Sequence, residues 1–598
     1  MTRSDARFWQ PRFEITHRED GSVIMRQRDP LPDHLPVVAD YLDHWADTTP
    51  DAIWIAQREN GGPWRRISYA EARDMARRIG AALLARGLGP ERPLLILSQN
   101  SIAHALLAMG CIYVGIPFSA VSPAYSLVSK DHGKLRDIAA LLRPGAVFAD
   151  DTAKFGPALA AIATPDQCVI SLGDGPDDLA ALLRTDGAGA QSARAALRPE
   201  GVVKYLFTSG STGSPKAVIN THRMMCAMGA MISDCYRFLR EEPPVVLDWA
   251  PWNHTAAGNK TFMLVLVHGG TYYIDDGRPV PGQFDETLRN LREISCTWYF
   301  NVPIGFDMLI DALEQDRALA ETFFSRLGML FFAGAGMAQH TWARLSALGR
   351  EVTGQEVLLA TGLGATETAP FALACTEIQR RAGNVGVPAR GLELKLVPTA
   401  DKLEARLRGP TIMPGYFGDP KKTAEVFDDE GFYCLGDALR PVDPQDLSRG
   451  FFFDGRVAEN FKLSTGTWVA VGSVRAGLVD AMGGLIRDVV IVGENRSELG
   501  ALLLLSDRAK AMPEQARKQA LAQALSDAAK AATGSASRVM RALELDQPPS
   551  FDKGEITEKG SLNQRRLRAN HSAIIDALYD SPPPEGMLHA TWDSTKPV

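Results

Sequence analysis

Residues Tyr205-Leu-Phe-Thr-Ser-Gly-Ser-Thr-Gly-Ser-Pro-Lys216 decide how this chain is read, because an apolar strand empties into a loop of Thr, Ser and Gly that ends in lysine. Small residues let the backbone N–H groups of Gly210 and Gly213 approach an anion. Thr208, Ser209, Ser211 and Thr212 add hydroxyl donors, and Lys216 supplies a compact positive charge. Such a loop cradles phosphates. It is not a Walker loop, which requires Gly-Lys-Ser/Thr, since Pro215 stands before the lysine. The plainer alternative is an ordinary Ser/Gly turn, but small and hydroxyl residues closed by a lysine directly after a strand favour the anion.

Outward from this loop, composition sets the bounds. A chain of 598 residues, 45% hydrophobic and 23% charged, holds enough apolar residues for more than one domain. A net charge of -7, with Lys and Arg scattered, gives neither a nucleic-acid footprint nor a polybasic membrane anchor and points to small-molecule partners. Cys111, Cys168, Cys226, Cys235, Cys296, Cys375 and Cys434 form no C-x-x-C pair, which argues against a disulfide framework or a zinc site and fits a reducing cytoplasm. The stretch Met1 to Trp9 has no apolar h-region, so no secretory leader is expected. Apolar residues crowd Ser101 to Val121, but His104, two glycines and Pro117 interrupt them, which predicts a buried helix running into a strand and not a membrane span.

Residues 1–36 read as a polar, proline-spotted, irregular lead-in. From Val37 the pattern is α/β. Helical spacing covers Tyr41 to Thr48 and Tyr69 to Arg86, and Pro93 to Ser98 reads as a buried strand. Short strands are expected at Gln167 to Ser171, Val245 to Trp249, Thr271 to Ile274, Trp298 to Asn301, Met329 to Ala333 and Val357 to Thr361, most followed by helical or Gly-rich segments, hence mainly parallel sheets covered by helices. Asp174 to Ala196 reads as a solvated excursion. After Gly455 the character shifts: a hairpin-like Phe461 to Val471, strands near Val489 to Val492 and Ala501 to Leu505, and an alanine-rich helix Pro513 to Ala532. The expected architecture is a large domain over 37–455 and a small α+β domain over 456–598.

The Thr208 to Lys216 loop resembles the phosphate-loop signature of the acyl-adenylate-forming superfamily, which includes acyl-CoA synthetases, carboxylic acid reductase adenylation domains and nonribosomal peptide adenylation domains. The resemblance implies an acyl-CoA synthetase-like α/β fold with a small mobile C-terminal domain, and other motifs follow in family order. Thr361-Gly-Leu-Gly-Ala-Thr-Glu-Thr368, with Gly362 and Gly364, is similar to the element that sets a threonine on the nucleotide phosphate and a glutamate near Mg2+; Thr366 and Glu367 take those roles. No third glycine makes it a dinucleotide turn. Asp437, in Tyr433-Cys-Leu-Gly-Asp437, matches the carboxylate that accepts from the ribose hydroxyls, and Arg456 matches the arginine that contacts ribose or phosphate. Ala458 sits at the hinge position, where the small domain would turn, and Lys462 and Gly466 match the face presented for the CoA step. The C-terminal signature departs from the family: Ser561 occupies the place of the catalytic lysine, and Lys559, two residues earlier, is the substitute candidate. A cation there would be worth roughly 3 kcal/mol, about a hundredfold in rate. The competing reading makes Lys559 a solvated turn residue.

The stretches Asp248 to Asn259, His268 to Gly277 and Tyr299 to Phe306, with the ending Glu555 to Gln564, look like the bacterial feruloyl-CoA synthetases. In that reading His254 stands between acyl tunnel and adenylate, the competing reading being a histidine satisfied inside a Trp-rich turn. Trp252, Asn259, Lys260, Phe306, Gly336 and Gly362 line the acyl pocket, and Gly334-Ala335-Gly336 form a flat wall for a planar ring or adenine. The implied reaction joins an aromatic carboxylic acid to coenzyme A with ATP and Mg2+, through acyl-AMP. Activation of another aryl or fatty acid, or loading of a carrier protein, uses the same first half-reaction, although nothing in the chain resembles a fused carrier domain. A nucleotide-binding protein without turnover is the reading from another class. The sequence leaves a homodimer open.

Overall fold

The computed structural model describes residues 8–173, 175–208, 215–375, 377–399, 402–457, 460–556 and 562–591. The chain divides into two compact units, one of residues 1–397, 406–435 and 441–452, the other of 398–405, 436–440 and 453–598.

Among the described residues the first unit carries three mainly parallel sheets. A six-stranded sheet runs in the order Lys216–Thr221, Val202–Thr208, Phe118–Ala120, Leu94–Leu97, Ala146–Ala149, Cys168–Ile170. Its strands pair in parallel except the first two, which form an antiparallel hairpin with Lys216 opposite Thr208. Continuous apolar runs such as Leu94–Leu97, buried at every position, suit strands covered on both faces. Helices cover them. Tyr69–Ala85 starts on a capping box, in which the Ser68 side chain accepts from Glu71 N–H and the Glu71 carboxylate accepts from Ser68 N–H. Ile102–Val114 is buried almost throughout and runs into Phe118–Ala120, as expected for that apolar stretch. A three-stranded parallel sheet, Trp298–Asn301, Met329–Phe332 and Leu358–Ala360, packs against the helices Pro303–Gln315, Arg317–Phe324 and Gln339–Thr353. Val245–Asp248 and Thr271–Ile274 join Ile53–Arg58 and Trp64–Ser68 in a four-stranded sheet.

Two expectations are corrected. The lead-in is not irregular throughout: Phe13–His17 and Val23–Gln27 form an antiparallel hairpin whose second strand pairs with Glu393–Thr399, Met25 opposite Leu394. It extends a nine-stranded sheet that is antiparallel at every pairing described. The stretch after Asp174 is not a solvated excursion either. It forms the short helices Leu179–Leu183 and Ala190–Ala195, with Leu179, Leu182 and Ala190 buried.

In the second unit, Phe461–Lys462 and Trp468–Val469 form a hairpin. The strands Ile486–Val492, Leu499–Leu505, Val539–Glu544 and Leu588–His589 make a mixed sheet over which the helices Val471–Ala481 and Glu514–Ala531 pack through Leu478, Leu521 and Leu525. Among the described residues no helix is long and apolar enough to cross a membrane.

Candidate active site

The phosphate-loop residues Ser209, Gly210, Ser211, Thr212 and Gly213 lie outside the described residues, as do Ala458, Lys559 and Ser561. What flanks the loop is defined. Thr208 ends one strand, Lys216 begins the next, and both are half-buried.

A segment far along the chain meets this hairpin. Residues 415–417 lie against Lys216–Thr221, with Tyr416 bridging Val218, Ile219 N–H donating to Gly415 C=O and Phe417 N–H donating to Ala217 C=O. The contact sets the Tyr416 ring beneath Lys216, whose Nζ is 4.8 Å from the ring centroid. The hydroxyl of the same ring donates to Glu367 Oε1 at 3.0 Å. Tyr416 therefore joins two residues that sequence motifs had singled out separately. Its own proton is held firmly, because burial and the Glu367 charge raise its pKa. Nothing in the sequence reveals this role; the signal lies in the pairing of residues 415–417 with the loop's own strand.

Glu367 is 8% exposed and sits in the single turn Thr366–Thr368, with Met413 N–H donating to its carbonyl. That turn is closed by Thr368, whose side-chain oxygen accepts from Ala365 N–H. Thr366 beside it is half-buried. Glu367 Oε2 has no hydrogen bond among the described residues. A free carboxylate oxygen of this kind fits Mg2+, which takes one or two carboxylates together with substrate phosphates.

The segment expected to hold the acid begins at Trp252. Its ring is interior, 5% exposed, edge-on to His104 and Tyr272, with Nε1 donating to the Tyr272 hydroxyl, which in turn donates to Asp248. Burial raises the Asp248 carboxyl to about 7. Trp252 is thus an anchor behind the expected pocket wall. Half-buried His254 follows, its Nδ1 3.3 Å from Ala256 N–H. Accepting there places the proton of the neutral ring on Nε2.

After His254 the backbone forms a π-helical turn, Ala256–Thr261, a local widening that occurs mostly at functional sites. Gly258 permits it: a Cβ would come within 2.0 Å of Trp252 C=O. Two buried side chains tie the turn to the phosphate-loop strands. Asn259 Nδ2 donates to Asn220 Oδ1 at 2.8 Å, and the Lys204 amine, lowered by burial to about 7, donates to Gly258 C=O. Lys260 closes the turn, 4% exposed, with Nζ 3.0 Å from the Phe331 centroid and 5.8 Å from that of Trp298. Gly362 joins this group, since a Cβ there would stand 3.7 Å from Phe331 Cζ. Phe331 and Trp298, which the sequence offered only as strand residues, stand around Lys260.

Phe306, expected in the pocket, is fully buried and packs edge-on to Tyr299. Gly334, Ala335 and Gly336 form an exposed loop after Met329–Phe332, and a Cβ on Gly336 would meet nothing within 4 Å.

In the second unit Asp437 is 7% exposed, and Arg456 reaches its Oδ1 at 3.3 Å. Lys462 and Gly466 share the exposed hairpin, with Lys462 Nζ 4.9 Å from the Trp468 ring and Gly466 in its turn.

The model of the AMP-binding enzyme family matches residues 42–417, and that of the AMP-binding enzyme C-terminal domain matches 464–582. The carboxylic acid reductase of Segniliparus rugosus is 26% identical over 402 residues, 62% of this chain and 32% of that protein. The chain thus spans about a third of the length of such reductases. A feruloyl-CoA synthase from an Amycolatopsis species is 26% identical over 384 residues, 62% of this chain and 70% of that protein. Among solved structures, the A domain of the S. rugosus carboxylic acid reductase, in complex with AMP and a co-purified carboxylic acid, is similar with a TM-score of 0.68 at 19% identity, over 91% of this chain and 94% of that one, a likeness of fold. The chain belongs to the AMP-binding enzyme family, the acyl-adenylate-forming superfamily, and within it resembles feruloyl-CoA synthase.

Proposed function

We propose that this chain is an ATP-dependent carboxylate–CoA ligase acting on ferulate or a related hydroxycinnamate. The observation that carries the reading is the junction at Tyr416, which brings Lys216 and Glu367 to one ring beside the phosphate loop.

In the first half-reaction a carboxylate oxygen of the acid attacks the α-phosphorus of ATP, the bond to the β-phosphate oxygen breaks, and acyl-AMP and pyrophosphate result. Lys216 offsets charge on the departing pyrophosphate, and Thr208 and Thr366 offer hydroxyls to the phosphates. Glu367 is the residue that would hold Mg2+, a cation that when bound draws charge from the phosphate oxygens. Asp437 accepts from the ribose hydroxyls, with Arg456 beside it. His254 borders the reacting carboxylate, its ring held through Nδ1 by Ala256 N–H. In the second half-reaction the CoA sulfur forms the thioester, the acyl–phosphate bond breaks, AMP departs and the thiol proton is lost to solvent; Lys462 and Gly466 serve this step.

The substrate class is supported by the flat aromatic surroundings of Lys260, by the feruloyl-CoA synthase likeness and by the open Gly334 to Gly336 loop. A likeness to a long-chain-fatty-acid–(acyl-carrier-protein) ligase of Arabidopsis thaliana, 27% identical over 239 residues, favours one alternative, delivery of the acyl group to a carrier protein's thiol. The test is pyrophosphate release from the purified chain with Mg-ATP and ferulate, with and without CoA. Release that requires the acid, with feruloyl-CoA formed only when CoA is added, is expected. Adenylate without thioester moves the reading to a carrier protein, and no release with cinnamates, benzoates or fatty acids overturns it.

Tyr416→Phe keeps the ring under Lys216 and removes the hydroxyl from Glu367. Losing one hydrogen bond to a charged group predicts a fall of about tenfold in acid-dependent pyrophosphate exchange. An unchanged rate would mean that the tyrosine hydroxyl does not orient Glu367.

A further inference from the structure

Lys260 poses a problem that the reaction steps do not solve. An almost fully buried ammonium is ordinarily paired with a carboxylate. Among the described residues Lys260 has neither a carboxylate partner nor a hydrogen bond. It faces rings instead: Phe331 at 3.0 Å, Phe371 at 5.4 Å and Trp298 at 5.8 Å from Nζ to centroid. Trp298 and Phe331 are stacked, with planes 24° apart. Ring faces attract a cation but accept no directed hydrogen bond from it of the strength an oxygen offers.

The same cluster holds other unsatisfied polar atoms. Trp298 Nε1 is buried without a partner, and so is the hydroxyl of fully buried Tyr236, whose ring lies 6.2 Å from that of Phe371. Unsatisfied buried polar atoms are rare in folded proteins, and such atoms around one unpaired amine call for an explanation. A ligand carrying oxygen into an aromatic enclosure supplies one.

Resting on the ligase reading of this same site, we propose that Lys260 is its specificity-determining residue: the amine accepts the O–H of the phenol at the far end of a hydroxycinnamate ring. The flat ring lies among Phe331, Phe371 and Trp298, and the indole N–H and the Tyr236 hydroxyl are the nearby donors available to ring oxygens. Burial, which lowers the lysine pKa well below its usual value, leaves the amine a free electron pair with which to accept. An acid without the phenol leaves the amine and its neighbours unpaired and is rejected, as sites built around a substrate hydroxyl reject analogues that lack it.

The test compares kcat/KM of pyrophosphate release for 4-hydroxycinnamate and cinnamate, in the wild-type chain and in Lys260→Met, which keeps an unbranched apolar stem. The wild type is expected to favour the phenolic acid by at least about a hundredfold, and Lys260→Met to lower that ratio by at least about tenfold. A second readout needs no variant. Absorbance of bound 4-hydroxycinnamate is expected to shift to the red, whereas that of 4-methoxycinnamate, which has no proton to give, is not. A wild-type ratio near one, an unchanged ratio in Lys260→Met, or no red shift overturns the proposal while leaving the ligase reading intact. Failure of the wild type to release pyrophosphate with either acid sinks both together.

Discussion

Glu367→Gln is expected to slow acyl-adenylate formation by about a hundredfold while shifting the melting temperature by no more than about 3 °C. Glutamine has the same shape and its carbonyl can still accept from Tyr416, so packing in the Thr366–Thr368 turn is preserved. What is lost is the negative charge, including that on the Oε2 that makes no hydrogen bond among the described residues. If that charge holds Mg2+, the variant should also need a higher Mg2+ concentration for half-maximal rate. Acid-dependent pyrophosphate exchange measured across a Mg2+ titration reads both effects. A variant with parental rate and parental Mg2+ dependence would remove Glu367 from the mechanism.

The second large effect is steric. In Gly364→Ala the new Cβ would stand 1.8 Å from Pro370 C=O and 2.3 Å from its carbon, both backbone atoms that no rotamer change can move. The loop 361–370 must open to admit the methyl, and Thr366 and Glu367 ride on that loop. A cost of about 3 kcal/mol, the upper end for overpacking, is expected, together with loss of adenylation even in the fraction that stays folded. Gly336→Ala is the comparison, because its Cβ enters open space. That variant should unfold at the parental temperature and, if a ring lies on the loop, raise KM for the acid. Urea unfolding alongside exchange rates separates the two, and a Gly364→Ala chain with parental stability and rate would show that the loop yields more easily than its geometry says.

The elements that the sequence made legible are those whose burial is local. Leu94 to Leu97 is apolar at every position, and Tyr69–Ala85 begins at Ser68 with Glu71 three residues on, so strand and helix are written within a few residues of themselves. The hairpin Phe13–His17/Val23–Gln27 is not, because the first strand leaves Glu14, Ile15, Thr16 and His17 exposed and the second finds its partner only in Glu393–Thr399. The helices after Asp174 are hidden by length: five or six Ala-rich residues carry too few apolar positions to show a period. At the site, Lys216, Thr366 and Glu367 were legible as motifs because the phosphate chemistry demands those residue types in order. The contacts of Tyr416 with Glu367 and Lys216 and the rings around Lys260 were not, since they come from separate segments, and an aromatic residue in a strand reads the same whether it faces a core or a ligand.

The N-terminal hairpin has a consequence for synthesis. Met25 pairs with Leu394, about 370 residues later. A ribosome working at roughly 5–20 residues per second needs about 20–70 s to deliver that partner. Throughout this interval Val23, Ile24 and Met25 form an unpaired apolar strand edge, the kind that recruits other chains. That edge must therefore be shielded for the whole interval, and it is sealed only when the strand at 393 arrives.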